Sequence, residues 1–441
     1  MSGGIDLWVV YGFLFISMYF EVFLLTSFIE RRFRSKPIVS PGGNPLPKVA
    51  IVVPCFNEEK SLSSTVQSLL ALDYPADKFE IFIVDDGSTD GTLALAKTFE
   101  NAGRKESRVF FGEDCLSDQD ASSADEKNTR LFPLVRVFHK ENGGKHTAMN
   151  LALAHTNAEL IGCLDADSIV EPSALRAIVP VFDNATVAAA TPGIHVKNPS
   201  NLLQHMQHVE YRLSIFNRFM LAGLGSAFIT PGPFSFFRAQ VVRDLGSWRD
   251  GHSTEDMEMA LRMQQGGFLI ANVPSAIVHT GAPKTLRGLY RQRVRWTYGW
   301  LRNAIDYKHM FGNRAYGNLG IIILPSAIIS IFAGIYFFAR IVFYTVRELI
   351  AMVERIMETG IYPHTSFDLF YFNTSALWFL IFMSVGLVFA LLCAGTMIGT
   401  EGRRFPPKAT PLFLLFYSFL VPLWLSAAVV RAAFKTGVRW R

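Results

Sequence analysis

Residues 160–168 constrain the fold of this chain more than any other stretch of its sequence. They open with an apolar run, 160–164, which is typical of a strand buried on both faces of a parallel sheet. Two carboxylates, Asp165 and Asp167, follow, and alternation along an extended backbone places both side chains on one side. The pattern predicts an α/β fold with both residues beyond the carboxyl end of a strand, where open α/β sheets bind ligands.

Asp165 and Asp167 are candidate metal ligands. Two hard oxygen donors suit Mg²⁺ or Mn²⁺, and a partly hydrated divalent ion suits a substrate diphosphate. The alternative is an ordinary turn, because Asp and Ser commonly follow strands. Whether the two residues form a metal site or an ordinary turn depends on the other motifs of the chain.

The composition indicates that part of the chain lies in lipid. Of 441 residues, 50% are hydrophobic and 18% are charged, whereas soluble chains average about a quarter charged. The four cysteines form no CxxC pair, which argues against a zinc site or a disulfide framework and favours a reducing compartment. The net charge of +5 is modest, and no nucleic-acid partner is predicted.

Residues 1–47 predict a membrane anchor followed by a basic linker. The run 7–29 is apolar except for Glu21 and is long enough to span a bilayer. It is followed by four basic residues, Arg31, Arg32, Arg34 and Lys36. These place this end in the cytosol, and their position after the run favours a retained anchor over a signal peptide. Glu21 is expected either to face protein or a water-filled path, or to snorkel to the cytosolic end.

Residues 48–285 predict one α/β domain, because strand-like and helix-like segments alternate there. The predicted strands are 49–53, 80–84, 135–139 and 160–164. The predicted helices are 61–72, 92–99 and 148–154. Residues 101–130 are polar and without clear period, which predicts a surface insertion with a tendency to disorder.

The last third of the chain predicts helices on and in a membrane. Residues 286–317 mix aromatic and aliphatic side chains with Arg and Lys, as interfacial amphipathic helices do. Within 318–441, three membrane spans are predicted at about 319–339, 369–400 and 411–430, with a globular all-α core as the alternative. Three crossings would put the basic residues near the end of the chain outside, so either the last segment does not cross or packing overrides the charge rule.

The loop after the first predicted strand, Pro54 to Glu59, is a candidate nucleotide contact. Asn57 and Glu58 offer hydrogen-bond partners to a base at the end of the strand. The alternative is that Asn57 caps the next helix and the acids favour its dipole.

The loop after the second predicted strand carries Asp85 and Asp86, which could hold a uracil or a ribose. It contains no GxGxxG motif, so a dinucleotide-binding fold of the dehydrogenase kind is disfavoured. Ser88 or Asp90 could instead serve only to cap the following helix.

Lys145 follows a glycine pair in the run NGGKHTAMN, residues 142–150. A lysine there is a mobile point charge suited to a diphosphate, and the run is no P-loop because GxxxxGK[ST] is absent. The alternative is an exposed turn.

Two later motifs supply candidate catalytic groups. Glu255 and Asp256 open a predicted helix, and one carboxylate could take the proton of an acceptor hydroxyl, although first-turn acids also simply favour the helix dipole. In QRVRW, Gln292, Arg295 and Trp296 share one helical face. Arg295 can neutralise a diphosphate and Trp296 can stack on a sugar, or both can anchor an interfacial helix at headgroup level.

Jointly and in this order, the motifs resemble the membrane-embedded family 2 glycosyltransferases of GT-A fold, which include cellulose, chitin, hyaluronan and poly-N-acetylglucosamine synthases. The resemblance covers roughly residues 48–300 in motif content, and the flanking spans match in layout. The short length and the Asn-Gly-Gly-Lys run look most similar to the bacterial poly-N-acetylglucosamine synthases. The resemblance implies a cytosolic GT-A domain with a Rossmann-like mixed sheet, transmembrane and interfacial helices, and a place in the plasma or inner membrane.

The same resemblance implies roles for the donor-binding residues. Asp86 would contact the nucleotide and Lys145 the phosphates. Asp165 and Asp167 would form the DxD site that binds UDP and Mg²⁺ or Mn²⁺. The resemblance implies an inverting transfer from a UDP-sugar.

It also implies roles for the residues that carry out transfer. Asp256 would be the general base, with Glu255 in support. Gln292, Arg295 and Trp296 would form the QxxRW element over the donor and the acceptor.

One loop departs from the family pattern. Relatives usually have a Ser/Thr-Gly-Ala run before Phe-Arg, whereas this chain has TPGPFSFFR at residues 230–238. The loop is expected to border the acceptor, and its two prolines would stiffen it. The identity of the acceptor and of the product is therefore left open.

The leading hypothesis is a processive synthase that adds a sugar, N-acetylglucosamine by resemblance, to a growing polysaccharide, with export between the spans left open. The nearest alternative is a single-transfer enzyme acting on a lipid acceptor. A non-catalytic sugar-nucleotide sensor or transporter subunit is a third reading, which the candidate base, metal acids and phosphate-binding charges oppose. The expected partners are the UDP-sugar, a polysaccharide or lipid-linked acceptor and membrane lipids, with a small membrane accessory subunit left open.

Overall fold

The structure, a computed structural model, describes residues 2–34, 45–102, 133–360, 375–398 and 407–436. The strands in these residues are β1 Val49–Cys55, β2 Phe79–Asp85, β3 Leu134–His139, β4 Leu160–Cys163, β5 Ile169–Val170, β6 Val187–Val196, β7 Ser235–Arg238 and β8 Leu269–Thr280. All eight of these described strands form one sheet in the order β3-β2-β1-β4-β7-β6-β8-β5. The mixed sheet, with helices on its faces, confirms the predicted α/β fold class.

Helices connect the strands and follow the sheet. In the described residues they are α1 Ser2–Arg34, α2 Leu62–Leu70, α3 Thr92–Ala102, α4 Lys145–His155, α5 Ala174–Ile178, α6 Leu202–Gly223, α7 Ala239–Asp244, α8 Glu255–Gln265, α9 Leu286–Asp306, α10 Leu324–Thr359, α11 Ala376–Thr396, α12 Thr410–Leu412 and α13 Ser418–Ala433. Short 3₁₀ and π-helical turns join several of them.

Alternate residues of the central strands are buried against opposite layers of helices. On one face, Ile51 and Ile81 pack with residues of α2, α3 and α5. On the other face, Val52, Phe82 and Ile161 pack with residues of α4, α7 and α8. All five side chains are 0% exposed, and burying each contributes about 1.5–3 kcal/mol. Burial on both faces explains why these strands are continuous apolar runs in the sequence.

The strand directions bring several strand ends to one edge of the sheet. Strands β1 to β4 run parallel to one another, and β7 runs antiparallel between β4 and β6. Strand β8 runs parallel to β6. The carboxyl ends of β1, β4, β6 and β8 therefore share an edge with the amino end of β7. The chain proceeds from β1 to β2 and β3 on one side and returns to β4 on the other side of β1, so the strand order reverses at β1. Open α/β sheets bind ligands at the carboxyl ends of the strands at such a point, and a ligand crevice is expected there.

The sequence predicted β1 to β4 but not the four later strands. Two of those are too short to show a period, with two residues in β5 and four in β7. The other two are irregular, since the pairing of β6 with β8 shifts register between Pro192 and Gly193. A proline inside a run argues against a strand when only the sequence is read.

Three helices in the described residues are long and apolar enough to cross a membrane: Leu7–Glu30, Leu319–Thr359 and Ala376–Thr396. The pair Thr410–Tyr417 and Phe419–Ala433, bent by 45°, would be a fourth span if it crosses as one. The helix of the predicted span 319–339 continues to Thr359, because the charged residues after Ala339 lower hydropathy without interrupting a helix. With 36 residues, α10 is about 54 Å long, which exceeds a hydrocarbon core of about 30 Å.

Glu21 of α1 faces protein, which is one of its two predicted environments. Its side chain is buried, and its carboxylate accepts hydrogen bonds from Ser17 Oγ and from Ser384 Oγ of α11, both at 3.3 Å. The contact ties the first apolar helix to α11.

Helices near the sheet pack directly on the apolar helices. Residues of α8 and α9 share one buried cluster with Ala428 and Ala432 of α13. Phe216 of α6 packs against Phe28 of α1, with ring centres 5.6 Å apart. The α/β unit and the apolar helices are therefore joined by continuous packing.

Some predictions lie wholly or partly outside the described residues. They concern the linker (35–44), most of the insertion 101–130, the ends of the span 369–400, and the last basic residues (437–441).

Candidate active site

Asp165 and Asp167 lie just past β4, at the edge where the strand ends meet. Asp167 Oδ1 accepts hydrogen bonds from Ser168 Oγ at 3.0 Å and from Thr280 Oγ1, at the end of β8, at 3.4 Å. Burial, followed by the charge of Asp165, raises the pKa of Asp167 to about 6. The carboxylate of Asp167 is therefore fixed in place while its negative charge remains poorly compensated.

Lys145 opens α4 and reaches the same edge. Its Nζ donates to Asp165 Oδ1 and lies 3.8 Å from Glu255 Oε1. Burial opposes the charge of Lys145, but Asp165 and Glu255 outweigh it, so the pKa of Lys145 is raised well above its usual value. The side chain is 14% exposed, so the glycine turn presents Lys145 to the acids rather than to solvent.

Asp86 holds the glycine turn before Lys145. Its Oδ1 accepts from Gly143 N at 3.0 Å, and its Oδ2 accepts from Gly144 N at 2.8 Å. Lys140 Nζ donates to Oδ1 as well, at 2.5 Å. The neighbouring Asp85 is 0% exposed and its Oδ2 lies 2.6 Å from His139 Nδ1. Both predicted nucleotide-binding acids therefore also fix the loops around Lys145.

The loops after β1 and β2 are tied to each other. Asn57 Oδ1 accepts from Thr89 N at 2.8 Å, and Glu58 N donates to Thr92 Oγ1 at 2.9 Å. Within the loop after β1, Glu58 Oε2 accepts from Ser61 Oγ at 2.6 Å. Asn57 does not cap α2, which begins at Leu62, so that alternative is wrong.

Two smaller features complete these loops. Pro54 lies within β1, paired with Val84 of β2. In the loop after β2, Asp90 Oδ1 accepts a hydrogen bond from Thr92 N, the first residue of α3, at 3.0 Å. This agrees with the alternative prediction that Asp90 caps the following helix.

Glu255 and Asp256 begin α8 directly after a strained loop. His252 and Ser253 have φ of 55° and 66°, a region that costs non-glycine residues about 1–2 kcal/mol each. Asn303 of α9 steadies the loop, donating from Nδ2 to Thr254 Oγ1 at 2.9 Å. Burial and the neighbouring Glu255 raise the pKa of Asp256 to about 7, which suits a group that exchanges protons near neutrality.

The predicted face of α9 carries Arg295, which lies close enough to the acids for their charges to act on it. Burial lowers the pKa of Arg295, and the charges of Glu255, Asp256 and Asp165 oppose that shift. Among the described residues, no donor reaches the buried Gln292 Oε1. Trp296 is 38% exposed.

Charged groups from distant parts of the chain therefore meet at one edge of the sheet. The charges of Asp165 and Glu255 act to raise the pKa values of both Lys145 and Arg295 against the effect of burial. Besides burial, the charge of Glu58 acts to raise the pKa of Asp167, and the charge of Lys145 acts to lower it. Lys145 Nζ contacts Asp165 and lies 3.8 Å from Glu255, so the start of α8 reaches the acids after β4. The arrangement places two cations beside four carboxylates in a partly desolvated site.

Two glycines approach the acids after β4 so closely that neither position has room for a Cβ. A Cβ at Gly232 would lie 3.0 Å from both oxygens of Asp165, and one at Gly281 would lie 3.1 Å from Asp167 Oδ2. The described residues contain no group of three or more His, Cys, Asp or Glu side chains that could hold a metal. Two neighbouring carboxylates fit a divalent ion that takes its remaining ligands from water and phosphate.

Sequence reasoning did not single out several of these residues. Gly232 lies within the unusual 230–238 loop, but its importance depends on contact with Lys145 and Asp165, which are far away in the sequence. Thr280 and Asn303 belong to segments without a recognisable motif. The positive φ of His252 and Ser253 leaves no trace in the amino-acid pattern.

The family to which the chain belongs is decided by a profile described as "Glycosyltransferase like family 2", which matches residues 47–299. The chain belongs to this glycosyltransferase family. The matched residues include the whole sheet and all predicted site residues of this family 2 glycosyltransferase.

Relatives with assigned activities are similar over part of their length. The poly-beta-1,6-N-acetyl-D-glucosamine synthase of Staphylococcus aureus (strain COL) is 29% identical over 289 residues, covering 65% of this chain and 63% of that protein. The enzyme of the same description from Staphylococcus epidermidis (strain ATCC 35984) is 27% identical over 290 residues, with the same coverage of 65% and 63%. The family 2 glycosyltransferase thus matches less than two thirds of the length of these relatives.

A solved structure shares the fold over nearly the whole chain. The mannosyltransferase PcManGT from Pyrobaculum calidifontis, in complex with GDP-Man and Mn²⁺, aligns with a TM-score of 0.55 at 17% identity, covering 96% of this chain and 99% of that one. The likeness confirms a GT-A-like α/β fold for this family 2 glycosyltransferase.

Proposed function

We propose that this chain is an inverting glycosyltransferase that moves N-acetylglucosamine from UDP-N-acetylglucosamine to a growing polysaccharide. The observation that carries the proposal is that Lys145 Nζ donates to Asp165 and lies 3.8 Å from Glu255 at the carboxyl edge of the sheet, where the charges of the same two acids act on Arg295. The printed activity of the staphylococcal relatives, poly-beta-1,6-N-acetyl-D-glucosamine synthesis, supports the choice of sugar and product.

The donor diphosphate binds between the cations. Lys145 turns from Asp165 to the phosphates, and Arg295 neutralises charge on the departing UDP. Asp165 and Asp167 would hold Mg²⁺ or Mn²⁺, and such an ion would supply further neutralisation of the diphosphate. Asp86, Asn57 and Glu58 shape the loops beside the nucleotide.

Asp256 takes the proton of the attacking acceptor hydroxyl, and Glu255 supports it. In an inverting transfer the hydroxyl attacks from the side opposite the leaving diphosphate, so the base and the metal acids stand on opposite sides of the sugar. Gln292 and Trp296 line the acceptor side, where the indole offers a flat surface to a sugar ring.

The site is proposed to face the cytosol at the plasma or inner membrane. The basic residues after the first apolar helix and beside the later ones support this orientation. The packing of α9 on α13 brings the acceptor side close to the apolar helices, which suits a polymer, or a lipid-linked acceptor, that leaves through or along the membrane.

The donor site is expected to be sensitive to a single methyl group at Gly232. Gly232→Ala is expected to weaken binding of UDP-N-acetylglucosamine by about 10- to 100-fold, because the added Cβ meets Lys145 Nζ and Asp165. These are ends of flexible side chains, so the fold can adjust and the melting temperature is expected to change little. Calorimetric titration and thermal unfolding of the protein in detergent measure the two effects.

Gly386→Ala is the matched control, since a Cβ there meets nothing within 4 Å. Equal donor affinity in the Gly232 variant and the wild type would remove this loop from the donor site.

The rate of transfer is expected to rise with pH up to neutrality. Asp256 acts as a base only when it has lost its proton, and its pKa is raised to about 7. Below pH 7, kcat/KM for the UDP-sugar should therefore fall about tenfold per unit. A profile of kcat/KM from pH 5 to 9, recorded as UDP release, checks this expectation. A profile that stays flat down to pH 5 would contradict a base with this pKa.

The decisive experiment supplies the purified chain, in nanodiscs, with a panel of UDP-sugars and with Mg²⁺ or Mn²⁺. UDP release and product size are measured together. Release with UDP-N-acetylglucosamine and a ladder of long products supports a synthase, and one sugar on a lipid supports the single-transfer alternative. Nucleotide binding without UDP release under any condition would overturn the enzymatic proposal.

A further inference from the structure

One carboxylate oxygen joins three helical segments behind the QxxRW motif. Glu210 Oε2 on α6 accepts a hydrogen bond from Arg293 Nη2 of α9 at 2.6 Å and another from Tyr417 Oη at 2.6 Å. Arg293 is 83 residues and Tyr417 is 207 residues away from Glu210 in the sequence. The contact therefore forms only when the catalytic and apolar parts of the chain are assembled.

Arg293 also contacts Trp296, so it links Glu210 to the indole. Its guanidinium carbon Cζ lies 4.4 Å from the centre of the Trp296 ring, one helical turn away. This is a cation–π contact, and the guanidinium that makes it is buried, with Arg293 only 5% exposed. Trp296 itself remains 38% exposed. The indole is thus supported by a fixed cation while part of its surface is open to a ligand.

Tyr417 anchors the contact in the last apolar segment. Its ring is 3% exposed and packs on Phe413 and Trp424, with ring centres 5.0 and 5.7 Å away. Tyr417 ends the π-helical turn Phe413–Tyr417, which precedes α13. Such turns in helices frequently mark functional sites, and this one presents the tyrosine hydroxyl to Glu210.

We propose that Glu210, Arg293 and Tyr417 are positioning residues that fix Trp296 for the acceptor sugar and tie its position to the last apolar segment. The carboxylate is held by two donors on one oxygen, so it fixes the guanidinium, and the guanidinium fixes the indole. Without the Tyr417 hydroxyl, Glu210 and Arg293 still form their ion pair. The pair is then no longer anchored to the last apolar segment, so it and the Trp296 indole can move together. The proposal rests on the proposed function in one point, that Trp296 serves the acceptor.

Tyr417→Phe tests the contact without any need for activity. The variant keeps the aromatic ring and its packing but removes the hydroxyl. Hydrogen–deuterium exchange of the protein in nanodiscs is expected to become about tenfold faster in peptides that cover residues 292–298. Tyr307→Phe is the matched control, because Tyr307 Oη also donates to a buried carboxylate, Glu258 Oε1, at 2.9 Å. Its effect is expected at the end of α9 and not at 292–298.

A double-mutant cycle with Trp296→Ala tests whether the contact acts through the indole. Tyr417→Phe alone is expected to lower kcat about tenfold, as a small misplacement near the reacting groups does. In the Trp296→Ala background the same change is expected to have almost no further effect. Tyr307→Phe is expected to change the rate by the same factor in both backgrounds.

Two results would overturn the proposal. One is unchanged exchange at 292–298 in Tyr417→Phe, and the other is an equal loss of rate with and without Trp296. A wild-type protein that turns over no UDP-sugar would refute the proposed function, while the exchange measurement would still decide whether Tyr417 positions Trp296.

Discussion

Asp256→Asn is expected to lower the rate of sugar transfer by about 10²- to 10⁴-fold while leaving the affinity for the UDP-sugar almost unchanged. The amide is nearly the same size as the carboxylate but cannot accept the proton of the acceptor hydroxyl. Donor affinity is retained because the donor binds to Lys145, Arg295 and the acids after β4. Single-turnover UDP release and calorimetric donor binding, measured on the same preparation, separate the two quantities.

Asp244→Asn is the matched control, since it makes the same chemical change at an exposed residue of α7. The residual rate of Asp256→Asn is also expected not to decrease below pH 7, because the carboxylate whose protonation causes that decrease has been removed. Transfer at the wild-type rate would remove Asp256 from the role of base. A parallel loss of donor affinity would instead assign it to binding.

Asp167→Ala is expected to abolish the part of UDP binding that depends on a divalent ion, weakening it by more than about 100-fold. Asp167 is one of the two carboxylates that follow β4, and hydrogen bonds from Ser168 and Thr280 hold it in place. Titration of UDP with and without Mn²⁺ measures the effect.

Asp77→Ala, which removes an exposed acid, is the control for this change. The ion-independent affinity of Asp167→Ala for UDP is expected to persist, because Lys145 and Arg295 remain. An undiminished response to Mn²⁺ would show that the ion binds elsewhere.

The sequence was sufficient to predict the first half of the sheet and the groups at its edge. Strands β1, β2 and β4 are buried on both faces, so they stand out as apolar runs, and the polar residues that end them mark the ligand-binding edge. Asp165 was identified for this reason, whereas Lys145 was identified from its glycine pair and Arg295 from the QxxRW motif. In the structure the charge of Asp165 acts on both cations.

The remaining features depend on distances that no local pattern encodes. Gly232 matters because β7 runs antiparallel to β4, which carries the loop before β7 to Asp165. The hydrogen bond of Tyr417 to Glu210 spans 207 residues. Strands β5 to β8 were missed because they are short or interrupted by proline, so neighbouring strands rather than local preference determine them.

The packing of α9 has a practical consequence for preparing the protein. This helix carries Arg295 on one face and shares its buried cluster with α8 on one side and α13 on the other. A truncated fragment that ends after α9 would lack α13, so it would expose the apolar side of α9 and weaken the support that Asn303 gives to the loop before Asp256. Such a fragment is expected to retain nucleotide affinity yet fail in turnover, so assays require the chain with its lipid-facing helices in place.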